Sequence, residues 1–257
     1  MLLAADIGNS SIGFGLFDAD GRLCKRSKVS AIRSRTVDEY AVLVNGLLQL
    51  HGVSPREVTD CILSSVVPPL TRNLRAALQM LFGVRVMEVG PGIKTGLNIR
   101  IESQAELGAD LVANAVASLA QFKPPLVIAD IGTATTFTVL NANGVLEGAV
   151  IAPGLRMSMD ALSAGASELP DVSLVPPKRL IGKNSRESMN IGVLYGQAFL
   201  IDGFLDRFRR TLQTETLCAV ATGGLAETVL PFCKEKLTHC PDLTLQGLYY
   251  LWRKNKT

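Results

Sequence analysis

One tetrapeptide occurs twice in this chain in the same setting, and that repetition limits the fold more than any other feature. Ala-Asp-Ile-Gly stands at residues 5–8 and again at 129–132, 124 positions later. Each copy closes an apolar run, LLAAD at 2–6 and LVIAD at 126–130. Small hydroxyl or amide residues follow each copy, Asn9-Ser10-Ser11 in one and Thr133-Ala134-Thr135-Thr136 in the other, and then a second apolar run. A polar turn ending in glycine comes next, Asp18-Ala19-Asp20-Gly21 and Asn141-Ala142-Asn143-Gly144. Two β-prone arms joined by a glycine turn predict a hairpin in each place. The repeat therefore predicts two related α/β halves.

Between the hairpins the apolar spacing becomes helical. Tyr40, Val44, Leu47 and Leu48 mark a helix over 37–50 that closes before Gly52. Residues 61–67 read as a buried strand ending at Pro68-Pro69, 70–82 as a helix, 84–89 as a strand, and 104–120 as an alanine-rich helix. The Lys123-Pro124-Pro125 linker puts a domain boundary at about residues 118–125, giving domains 1–120 and 121–257. Beyond it, 144–151 is expected to be a strand, 152–154 a turn, 157–164 a short helix and 187–210 a long helix. A strand over 217–222 then runs into Gly223-Gly224, followed by a helix over 226–236.

Composition excludes several classes. Charged residues are 19% and hydrophobic residues 47%, which rules out a disordered or highly charged chain. The balance of 26 Lys plus Arg against 23 Asp plus Glu gives no basic stripe of the kind nucleic-acid binding needs. Arg253, Lys254 and Lys256 read as a frayed, solvated tail. Five cysteines with no CxxC pair fit free thiols in a cytoplasmic chain rather than a disulfide scaffold. Cys233, His239 and Cys240 lack the fourth partner and the spacing of a zinc site. MLLAADIGNS reads as a buried first strand without the basic start of a signal peptide, and no run of 18 apolar residues predicts a membrane span.

The chemistry gathers at the repeated turns. Asp6 and Asp130 each end an apolar strand, where a carboxylate leaves the core and the next glycine admits a bulky ligand. Two such turns make a phosphate cradle in which the carboxylates are suited to hold a hydrated Mg2+. The competing reading is a pair of β-turns whose polar side chains cap their own backbone. Ala221-Thr222-Gly223-Gly224, a third strand-to-glycine turn, favours the cradle. The 182–185 segment, Gly-Lys-Asn-Ser, lacks the upstream glycine and strand of a Walker A loop. His51 and His239 lie outside the glycine-rich elements, so a histidine-based triad is not expected. A carboxylate is then the expected general base, and Asp110, among small residues at 108–110 with Glu106 on the same helical face, is the candidate. Spacing alone favours the plainer reading of Asp110 as a surface acid near a helix N-terminus.

In order and spacing these motifs resemble the type III pantothenate kinases of the actin, sugar-kinase and Hsp70 ATPase superfamily. The resemblance runs through 6–10 (DIGNS), 64–68 (SSVVP), 91–97 (PGIKTGL), 108–110 (GAD), 130–136 (DIGTATT), 152–154 (APG), 181–185 (IGKNS) and 221–225 (ATGGL). It implies an α/β fold of two ribonuclease-H-like domains and ATP-dependent phosphorylation of pantothenate, the first step of coenzyme A synthesis. It further implies Mg2+, a monovalent cation such as K+ or NH4+, and a homodimer whose long helices pack together. By the same resemblance Asp6, Gly8, Asn9 and Ser10 hold ATP phosphates, Gly132, Thr133, Gly223 and Gly224 line the nucleotide, and Asp6 and Asp130 hold metal. Asp110 becomes the base for the pantothenate hydroxyl, while Gly108, Lys94, Thr95, Gly96 and Ser185 border that substrate.

Some positions depart from the family pattern. Leu111 stands where an arginine commonly contacts pantothenate, and losing a charge-assisted hydrogen bond there costs about 1.5–3 kcal/mol unless Lys94 or Arg156 replaces it. Thr138 stands where many members carry an acid associated with the monovalent cation, and Ile191 where serine is usual. Two other functions therefore stay open, a related kinase for a different hydroxyl acceptor and a nucleotide-binding accessory or regulatory protein.

Overall fold

The computed structural model describes residues 1–103, 107–166 and 168–256, and the chain divides into two compact units. The first comprises Met1–Leu97, Glu102–Ala120 and Asp242–Thr257; the second comprises Asn98–Ile101 and Gln121–Pro241. The expectation of a second domain over 121–257 is therefore corrected at its end, because the last residues belong with the first unit.

The first unit is built on a five-stranded sheet. Strands β1 (Leu2–Ile7), β2 (Ser11–Phe17), β3 (Leu23–Ser30), β4 (Asp60–Ser65) and β5 (Val86–Glu88) lie in the order β3-β2-β1-β4-β5. The first three are antiparallel neighbours, whereas β1, β4 and β5 run parallel. Helices α1 (Val37–Leu50) and α2 (Pro68–Phe82) cover one face. There Tyr40, Val44, Leu70 and Leu74 meet Leu3, Ala5, Ile7 and Leu63. A capping box between Thr36 and Glu39 starts α1, and a left-handed Gly83 stops α2. The opposite face is covered by α3 (Ala109–Gln121) and by α7 (Leu243–Asn255), which set Val112 and Val116 with Leu248 and Leu251 against Leu2, Ala4 and Ile62. The expected start of α3 at residue 104 falls at 104–106, outside the described residues, as does Glu106. The C-terminal segment expected to fray is helical up to Asn255, because its apolar stripe has a sheet face to bury.

The second unit repeats this sheet. Strands β7 (Leu126–Ile131), β8 (Ala134–Leu140), β9 (Val145–Pro153), β10 (Cys218–Thr222) and β11 (Thr238–His239) form the order β11-β10-β7-β8-β9, and β6 (Asn98–Ile99) adds to the β9 edge. Directions match strand for strand, with β7, β8 and β9 antiparallel and β7, β10 and β11 parallel. The register slips at Leu16/Phe17 in the first hairpin and at the corresponding Val139/Leu140 in the second. Helices α4 (Leu155–Gly165) and α5 (Ser185–Thr211) bury Met159, Leu194, Ala198 and Ile201 against Val127, Ala129 and Phe137.

Two expected elements are corrected. The helix over 226–236 is only α6 (Ala226–Val229) followed by a 3-10 turn, since Pro231 offers no N–H to continue it. Residues 152 and 153, expected in a turn, are the end of β9, and Gly154 caps α4. No helix of the described residues is long and apolar enough to cross a membrane.

Candidate functional site

In the first unit, β1 delivers Asp6 to the parallel-strand end of the sheet. Asp6 lies opposite Ser64 of β4 in register, and the fully buried Ser64 hydroxyl donates to its Oδ1. The turn after it closes when the Gly8 N–H donates to the Ser11 carbonyl at 2.9 Å, which leaves Asn9 and Ser10 at the surface. Ser65 reinforces the neighbouring strand end by accepting from the Val67 N–H at 3.0 Å and from the Thr71 hydroxyl at 2.6 Å.

The start of α3 carries Gly108 and Asp110 in the same unit. The Asp110 carboxylate folds back so far that a Cβ on residue 108 would lie 2.4 Å from its Oδ1, so only glycine permits this rotamer. Burial pushes the Asp110 carboxyl above its ordinary value, and the hydrogen bond from the Leu111 N–H at 2.8 Å offsets part of that rise. A surface acid would not carry that desolvation. Leu111 itself is buried, so this position offers an apolar side chain to the interior rather than a cation to solvent.

In the second unit, β7 carries Asp130 one residue before its end, opposite Thr136 of β8 and Thr222 of β10. The turn is one residue shorter than its counterpart and closes from the Gly132 N–H to the Ala134 carbonyl at 3.0 Å. Two glycines press on it. Gly223, at φ +95°, comes so near that a Cβ would lie 2.5 Å from both Asp130 Oδ1 and the Ile131 carbonyl. Gly154 packs on the Gly132 and Thr133 carbonyls, where a Cβ would stand within 2.4–2.5 Å. The Leu225 N–H donates to the Ile131 carbonyl at 3.0 Å, so the 223–225 turn is fastened to the end of β7 with Gly224 exposed. Asp130, Gly132, Thr133, Gly223 and Gly224 are thus brought together in one corner.

Ser185 is the first residue of α5 and is exposed; Asn184 caps that helix by accepting from the Glu187 N–H at 2.9 Å. The 182–185 segment is therefore a helix start rather than a phosphate loop. Lys94 is exposed, and its backbone exchanges two hydrogen bonds of 2.9 Å with the Asn255 side chain of α7. Thr95 and Gly96, expected beside Asp110 at the pantothenate site, adjoin a cleft with Val116, Leu119 and Ala120 in the second half of α3 and are not brought together with Asp110 in its first turn. Ser64 and Gly154 lie within the 64–68 and 152–154 motifs without any local sign of what they support. The register of β4 against β1, and the approach of Gly154 to the Thr133 carbonyl, are visible only after folding.

A family profile for type III pantothenate kinases matches residues 2–207. The chain belongs to that family. It is 40% identical over 257 residues to a type III pantothenate kinase of Exiguobacterium sp. (strain ATCC BAA-1283 / AT1b), covering all of both chains. Identity is 41% over 256 residues to that of Geobacter sulfurreducens (strain ATCC 51573 / DSM 12127 / PCA), again covering all of both. Among solved structures, the activator of the 2-hydroxyisocaproyl-CoA dehydratase from Clostridium difficile with bound ADPNP superposes with a TM-score of 0.54 at 10% identity, over 96% of this chain and 91% of that one. The likeness extends to the α/β fold related to the actin, sugar-kinase and Hsp70 ATPases.

Proposed function

We infer that the chain transfers the γ-phosphoryl group of ATP to the hydroxyl of pantothenate, yielding 4′-phosphopantothenate and ADP. The observation that carries this reading is the desolvated carboxylate of Asp110, folded against Gly108 in a chain that matches the family from end to end. The new bond joins the acceptor oxygen to phosphorus, and the bond from phosphorus to the ADP oxygen breaks. The hydroxyl proton passes to Asp110, whose raised affinity for protons makes it a better base than an exposed aspartate. Asp6, Gly8, Asn9 and Ser10 form one phosphate-facing turn, and Gly132, Thr133, Gly223 and Gly224 the other. Asp6 and Asp130 are half-buried carboxylates at strand ends, and one or two such ligands with substrate phosphates make an ordinary Mg2+ site. When bound, the ion offsets charge on the transferring phosphoryl group.

The matching strand orders support two ribonuclease-H-like domains. A homodimer through α5 is supported by Phe199, 58% exposed on that helix beside Tyr195; light scattering in solution tests it. Pantothenate-dependent ADP release with Mg2+, measured with and without K+ or NH4+, tests the activity and its cation requirement together. ADP release that does not depend on pantothenate overturns the acceptor assignment. The buried Leu111 favours a second reading, a kinase for another small hydroxyl compound, which predicts turnover with that compound alone.

A further inference from the structure

A cleft of about 450 Å³ lies wholly within the first unit, away from the face that carries Asp110. Its lining is in part apolar, from Leu97 with Val116, Leu119 and Ala120 of α3. Thr95, Tyr250, Arg253 and Lys254 line the rest, and among the described residues no carboxylate does. Along α3, Leu119 is about half a turn round and ~14 Å beyond Asp110, at roughly 100° and 1.5 Å per residue. A substrate seated at Asp110 does not reach it along that helix.

Three features build this cleft. Asn255 grips the Lys94 backbone from both sides and also donates to the Leu251 carbonyl at 2.8 Å, which fastens the 94–97 loop to α7. Gly96, at φ +74°, leaves room for the Lys254 ammonium, which any Cβ at that position would strike at 1.9 Å. Thr95 accepts from the Leu97 N–H at 3.1 Å, which leaves its own O–H to donate. Among the described residues neither Arg253 nor Lys254 has a carboxylate partner, whereas the nearby Lys256 has Asp60 at 3.9 Å. The polar part of the lining is a set of donors with two positive charges and, among the described residues, no carboxylate to satisfy them.

We propose that this cleft is a second ligand site, which takes a phosphomonoester with an apolar body. The guanidinium and ammonium receive the dianionic head, the Thr95 hydroxyl adds a hydrogen bond, and the Leu97–Leu119 wall covers the body. The site stands independently of the reaction at Asp110.

Calorimetric titration with phenyl phosphate, in saturating Mg2+ and ADP, tests it. Saturable binding that weakens as salt rises is expected, about tenfold or more weaker in the Arg253→Ser/Lys254→Ser double variant. Pantothenate-dependent ADP release, if the parent chain has it, stays unchanged in that variant. No saturable binding to the parent chain, or equal binding to the variant, overturns the proposal. If the double variant fails to fold, the charge-preserving Arg253→Lys/Lys254→Arg protein decides, because retained binding supports the site and loss of binding in the folded protein overturns it.

Discussion

The two acid–glycine turns share a strand order, a burial pattern and a register slip, yet they are stabilised by different means. Along β1 and β7 the first four residues and the sixth are buried and the aspartate is half-buried, and β2 and β8 also share one pattern. In the first turn a side chain steadies the acid, through the buried Ser64 hydroxyl. At the second the backbone itself comes close, with Gly223 and Gly154 pressed on the strand end so tightly that no side chain fits at either position. A hydroxyl can be exchanged for a similar group and the carboxylate still held, whereas a close backbone contact tolerates no added atom. One sheet plan therefore gives one turn that adapts and one that does not.

The largest effect lies outside both turns and separates them from the base. Asp110→Asn is expected to lower turnover by about 10²–10⁴ while the affinity for ATP stays unchanged. Because burial raises the Asp110 pKa in the folded state, ionising it costs stability as pH rises from the ordinary aspartate value through the raised one. The same substitution should therefore raise thermal stability at neutral pH, and turnover of the parent chain should fall on the acid side as Asp110 takes up its proton. Turnover of the Asn variant within threefold of the parent's would remove Asp110 from the mechanism.

Next comes Gly223→Ala, where a Cβ meets Asp130 and the Ile131 backbone at a positive φ. A loss of about 2–4 kcal/mol in denaturant unfolding is expected. At the first turn Gly8→Ala, whose Cβ would stand 3.2 Å from the Ser11 carbonyl, should cost under about 1 kcal/mol. Equal losses at the two positions would erase the contrast. Between these two falls Ser64→Ala, which removes one hydrogen bond to a carboxylate and should cost about 1–2 kcal/mol, read as a raised KM for MgATP. Ser64→Thr keeps the hydroxyl and should restore most of it; a threonine variant as impaired as the alanine one would mean that volume, not the hydrogen bond, matters there.

Much of this architecture is legible in the amino-acid order, because hairpins and amphipathic helices rest on local periodicity. The duplicated tetrapeptide marks both sheets, and α1 is expected over the residues where it is found. Chain-local signals fail where a distant surface decides the outcome. Residues 243–255 carry their basic residues at the end, and only the sheet face under Leu245, Leu248 and Leu251 makes them a helix. β3 exists because β2 offers an edge, although its own sequence, LCKRSKVS, is largely polar. At the candidate site the acids could be picked out, since a carboxylate at the end of an apolar strand is a local anomaly. Their supports could not, because Ser64 reaches Asp6, and Gly223 reaches Asp130, across strands far apart in the chain.

The placement of α7 carries a consequence for synthesis. A ribosome delivers β1 first and α7 only after all of the second unit, yet Leu2, Ala4 and Ile62 depend on α7 for cover. While residues 121–241 are made, that sheet face has only α3 from its own unit over it, and the part that α7 will cover is a surface for chaperones. The unit translated first is thus the one completed last, and a chain released early, short of residue 243, leaves the ribosome with one face of its oldest sheet covered by α3 alone.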